Sequence, residues 1–83
     1  MENMGNKLAV ISIIVTDKDN VEKVNALLHE NSQNIIGRFG LPVKERGVSV
    51  ITVVFDGSQN AISTLSGKLG MISGVSSKVL ITK

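Results

Sequence analysis

Residues 7–16 read Lys7-Leu8-Ala9-Val10-Ile11-Ser12-Ile13-Ile14-Val15-Thr16. The run is short, dense in β-branched residues and bounded by polar ones, which predicts a strand. Ala9, Ile11, Ile13 and Val15 form one wholly apolar face. Leu8, Val10 and Ile14 make the other face nearly as apolar, with Ser12 interrupting. A strand dry on both sides belongs in the middle of a sheet.

A second run of the same kind lies downstream. Val48 to Asp56, VSVITVVFD, puts Ser49, Ile51, Val53 and Phe55 on one face and Val48, Val50, Thr52 and Val54 on the other. Before it, Ile35 to Val43 reads IIGRFGLPV, where two glycines and a proline suit an edge strand. Lys44-Glu45-Arg46-Gly47 joins the two as a hairpin. Val75 to Thr82 predicts a last, half-exposed strand, with Val75, Val79 and Ile81 set against Ser76, Lys78 and Thr82 and with Ser77 and Leu80 breaking the alternation.

Two helices fill the gaps. Val21, Val24, Leu27 and Leu28 follow helical spacing, after an Asp19-to-Glu22 pair that reads as an acidic capping box. Glu22, Ala26 and His29 fall on the opposite, polar face. Asp56-Gly57-Ser58 turns the chain into the second helix, with Ser58 as N-cap and Ile62, Leu65, Leu69 and Ile72 as the apolar stripe. Gly67 and Gly70 predict either an early fraying of that helix or a close backbone approach.

The order βαββαβ, with right-handed crossovers, gives an α+β two-layer sandwich of ferredoxin-like type. Its four-stranded antiparallel sheet has the spatial order 4-1-3-2 and carries both helices on one face. Leu8, Val10 and Ile14 then lie beside Val48, Val50 and Val54 on the face away from the helices. An apolar patch of that kind marks an interaction site. The expectation is a homo-oligomer, a dimer or a tetramer.

The length, 83 residues, suits one domain, read as residues 7–83 after a disordered leader at 1–6. The chain has 42% hydrophobic residues and a net charge of +2. Without cysteine there is no disulfide, thiolate site or cysteine nucleophile. One histidine, His29, excludes a multi-histidine metal site within one subunit. No apolar run approaches the roughly 20 residues of a membrane span, and the N-terminus lacks signal-peptide features, so the expected location is cytoplasmic.

Nucleic-acid binding is not expected. Gly37-Arg38-Phe39-Gly40 has the G-x-x-G spacing of a KH loop but lies in a strand. The βαββαβ order is that of RNA-recognition domains, yet Phe39 and Phe55 are the only aromatics, and the open face is expected to offer aliphatics alone. Ser66-Gly67-Lys68 reverses the end of a phosphate-binding loop. Nothing pairs Asp17, Asp19, Glu45 and Asp56 for acid–base work, and no catalytic constellation, metal or cofactor is expected. Arg38, Lys44 and Arg46 flank the hairpin, either as a site for an anionic ligand or subunit or as solvated charges that guard an edge strand. Gly37 and Gly40, beside them, let a neighbour approach the backbone closely.

Three segments together resemble a known family. They are Ala9 to Val15 (AVISIIV), Ile35 to Gly47 (IIGRFGLPVKERG) and Leu65 to Val75 (LSGKLGMISGV). The chain is similar over residues 7 to about 80 to the iron-only hydrogenase system regulator family of anaerobic bacteria. The resemblance implies an ACT-like fold, related to the C-terminal sensing domain of the nickel-responsive repressor. It also implies a regulatory role beside a hydrogenase system, through a small-molecule effector or a protein partner. It brings no functional residues with it. Alternatives are a maturation factor or enzyme acting on a hydrogenase cofactor precursor, and a metal- or amino-acid-binding sensor of a transcriptional regulator. Two departures count against the sensor alternative. The nickel domain uses histidines and a cysteine, and this chain has no cysteine. The D-x-P-G turn common in amino-acid-binding ACT domains is here Asp17-Lys18-Asp19-Asn20.

Overall fold

The computed structural model describes residues 5–82. Six elements follow in order: β1 (Asn6–Val15), α1 (Val21–Glu30), β2 (Ile35–Val43), β3 (Val48–Ser58), α2 (Gln59–Gly70) and β4 (Val75–Ile81). The strands form one antiparallel sheet in the order β2-β3-β1-β4, as the sequence predicts. The two most apolar strands sit in the middle because only there can both faces lose water.

One face of the sheet makes the core. Ala9, Ile11, Ile13 and Val15 of β1 and Ile51, Val53 and Phe55 of β3 are buried against Val24, Leu27 and Leu28 of α1 and Ile62, Leu65 and Leu69 of α2. These are the alternate strand positions and helical stripes that the spacing selects. Glu22, Ala26 and His29 lie on α1 away from this core; Glu22 and His29 are exposed.

Several local expectations are corrected. Asn6 belongs to β1, paired with Ser58, so it is not part of a leader; positions 1–4 of that leader lie outside the described residues. Asp56-Gly57-Ser58 is no turn: β3 continues through it and runs directly into α2. Gly57 permits this, since a Cβ there would lie 2.6 Å from the buried Phe55 ring. Ser58 does cap α2, accepting from the Ala61 amide at 3.0 Å.

The capping box of the first helix is displaced. Asp17, not Asp19, supplies the cap, accepting from the Asp19 amide at 3.0 Å at the head of a short 3-10 turn, Lys18–Asn20, that leads into α1. Gly67 and Gly70 neither fray α2 nor permit a close approach: both are helical, and a Cβ on either meets nothing within 4 Å. In β4 the interruptions fall into place. Ser77 joins Val75, Val79 and Ile81 on the half-buried face, and Leu80 faces out beside Val10.

Candidate functional site

β2 is the edge strand nearest α1, and its helix-facing positions are Arg38, Gly40 and Pro42, opposite Val53, Ile51 and Ser49. Glycine, proline and serine leave this end of the sheet without bulky cover. Two hollows open there, of about 300 and 290 Å³, and Pro42 and Ser49 line both.

The first hollow brings Lys44, from the hairpin, together with Lys18, from the turn before α1. The second holds Arg38 and Gly40, with Val21 and Asn25 of α1 on its far side. Arg38 is anchored there: its Nη2 donates to Asn25 Oδ1 at 2.8 Å. The remaining guanidinium donors have no protein partner among the hydrogen bonds of the described residues. No acidic side chain lines either hollow.

The candidate set therefore divides. Arg38 and Gly40 share one hollow and Lys44 lines the adjoining one. Arg46 is exposed on the 3-10 turn Lys44–Arg46 and lines neither. Gly37 pairs with Val54 on the opposite face of the sheet. A Cβ placed on Gly37 or Gly40 would meet no atom of the chain within 4 Å, so neither serves a close approach within the subunit. Sequence reasoning misses Lys18 because it lies far from the hairpin along the chain. The strand order holds the signal: Val15 pairs with Ser49, which places the turn just beyond β1 against the end of the hairpin.

A polar latch fixes that turn. Asn20, buried within it, donates to the Ser73 carbonyl at 2.6 Å, and the Thr16 amide donates to the Gly74 carbonyl at 2.7 Å. Among the described residues no group of three or more His, Asp or Glu side chains is placed to hold a metal ion, and no helix is long and apolar enough to cross a membrane.

The open face of the sheet is broader than the six expected residues. Its rungs run Gly37–Val54–Val10–Leu80, then Phe39–Thr52–Ser12–Lys78, then Leu41–Val50–Ile14–Ser76. Leu8, Ile14, Phe39, Leu41 and Leu80 are exposed there, and Val10, Val48, Val50 and Val54 half-buried. The expectation of aliphatics alone is thus corrected by Phe39, which is 60% exposed. Phe39 is on the edge strand; the central strands present Ser12 and Thr52 at that level, so there is no aromatic platform of the RNA-binding kind.

A family model described as "TM1266-like: Iron-only hydrogenase system regulator, putative" matches residues 7–79. The solved structure of uncharacterized protein TM1266 from Thermotoga maritima is similar with a TM-score of 0.89 at 38% identity, over 94% of this chain and 99% of that one. The ACT domain of a GTP pyrophosphokinase from Chlorobium tepidum gives 0.73 at 21% identity, over 96% of this chain and 90% of that one. The C-terminal domain of the MgtC protein from Mycobacterium tuberculosis gives 0.73 at 14% identity, over 99% and 94%. These last two likenesses are likenesses of fold. No curated protein matches the chain.

Proposed function

This chain belongs to the TM1266-like family of iron-only hydrogenase system regulators, and on that premise we propose that it is a cytoplasmic regulatory domain without catalytic activity of its own, which senses a small organic anion in the paired hollows beside β2. The observation that carries the reading is the convergence of Lys18, Lys44 and Arg38 on adjoining hollows whose walls hold no carboxylate. Guanidinium and ammonium groups of that kind suit a carboxylate or phosphate, and arginine binds either through two parallel hydrogen bonds. Pro42, which lines both hollows, and Val21 and Ile51 in the second offer apolar surface for a carbon skeleton.

The other polar groups nearby have structural work. Asp17 caps the turn, and His29 lines neither hollow. An effector held between Lys18 and Lys44 joins the turn before α1 to the hairpin, and through the Asn20–Ser73 latch to the turn before β4. That gives ligand occupancy a path to three loops at one end of the sheet. The link to a hydrogenase system rests on the family alone.

Native mass spectrometry of anaerobically purified protein, followed by calorimetric titration with short-chain dicarboxylates and phosphate esters, tests the proposal. Reversible binding of an anion that weakens on replacing Lys18 and Lys44 supports it. A tightly held metal cluster or a covalent adduct supports a maturation enzyme instead.

A further inference from the structure

The sheet face away from the helices is apolar in most of its three rungs, with Thr52, Ser12, Lys78 and Ser76 as the polar positions, and carries two charges of opposite sign, Asp56 beside Leu8 and Lys78 beside Ser12. Strands about 4.8 Å apart and same-face rungs about 6.7 Å apart make it roughly 19 by 20 Å. Two such faces pressed together remove on the order of 1,000 Å² of accessible surface, the lower bound for a specific interface. The contact needs no second kind of surface, because a twofold axis uses the same patch twice.

We infer that the occupant of this face is a second copy of the chain, stacked sheet on sheet. The distribution of side chains fits a twofold running along the strands. Such an axis lays β2 of one copy over β4 of the other. Phe39 then meets Lys78, whose stem covers the ring and whose ammonium faces its π surface. Thr52 meets Ser12, and with sheets about 10 Å apart the gap between these short hydroxyls at the centre of the face has room for a bridging water. The small side chains at the centre and the larger Phe39 and Leu80 at the rims fit sheets packed about 10 Å apart. No like charges are stacked, since Lys78 lies over Phe39 and Asp56 over Leu8. This inference does not rest on the effector, although Leu41 and Val50 of this face also border the second hollow.

Sedimentation equilibrium of the full chain at micromolar concentration tests it. The unaltered protein is expected as a dimer, or as a dimer of dimers where edges also pair. Val50→Lys places a charge at the centre of the face, and Leu80→Asp places one at a rim position that is 74% exposed in the subunit, so folding does not depend on it. Each is expected to raise the dissociation constant at least about tenfold, with circular dichroism showing a retained fold. Should Val50→Lys unfold, Leu80→Asp decides alone. A monomeric unaltered protein overturns the inference, and so does a folded variant that assembles as tightly as the original.

Discussion

The side-chain amide of Asn20 donates to the main-chain carbonyl of Ser73 at 2.6 Å across 53 residues of sequence. Asn20 is the buried polar residue of the described chain, and its bond ties the turn after β1 to the turn before β4. Ser73 is exposed, so its carbonyl can take a water in place of the lost donor, and Asn20→Leu should lower stability by about 0.5–1.5 kcal/mol. Urea denaturation reads this directly. The same change should weaken anion binding, because Lys18 lies inside the turn that Asn20 fixes.

Two glycines should respond to alanine with opposite signs. Gly74 has φ +77, and a Cβ there would lie 2.7 Å from Asp17 Cβ and 3.2 Å from the Asp17 amide nitrogen. Gly74→Ala therefore meets backbone strain and a clash against the latched turn, and should destabilise by about 1–3 kcal/mol. Gly67 is helical and exposed with open space around it. Gly67→Ala should stabilise by about 0.5–1 kcal/mol, through propensity and a smaller unfolded ensemble. Paired denaturation curves that both shift down would overturn the assignment of Gly67, and curves that both shift up that of Gly74.

The contrast between those glycines shows what the sequence carries and what it does not. Strand order is legible because β1 and β3 are apolar on both faces, which alone places them in the middle. The helical stripes are legible because their period is fixed by geometry. The role of Gly67 is not legible, because a glycine in a helix looks alike whether or not something packs on it. Asp19 outranks Asp17 in the sequence because the capping-box spacing is read from α-helical geometry, and a 3-10 turn comes first. At the site, Arg38 and Lys44 are visible as charges near a hairpin, but Lys18 joins them through the β1–β3 register, a contact between distant segments. The strand that holds Phe39 is evident from the sequence, yet the side it faces follows from its register with Thr52.

Gly40 separates the effector site from the assembly face. It points towards the helix side, in the hollow that holds Arg38, and a Cβ there meets nothing within 4 Å. Gly40→Val should keep or raise the melting temperature, since valine is a better strand residue than glycine. It should fill part of the hollow and weaken anion binding about tenfold or more. Gly37→Val, on the other face beside Val54, should leave anion binding unchanged and alter the assembly state instead. Calorimetry and sedimentation on the two variants read the two effects separately.

Arg38 and Arg46 should not behave alike, although the same hairpin carries both. Arg38 is exposed, so Arg38→Ala removes the bond to Asn25 at a cost within about 0.5–1.5 kcal/mol of stability. Its effect on the anion should be larger, about 1.5–3 kcal/mol, or roughly ten- to a hundredfold in affinity, because a charge-assisted hydrogen bond is lost. Arg38→Lys should recover little of this. An ammonium cannot hold Asn25 with one arm and present a planar pair of donors to the ligand with the others. Arg46 lines neither hollow, so Arg46→Ala should leave affinity and melting temperature as they were. Titration of one small dicarboxylate into the three variants gives the comparison. Full recovery by lysine would mean that Arg38 acts as a point charge, and an equal loss in Arg46→Ala would move the site to the hairpin turn.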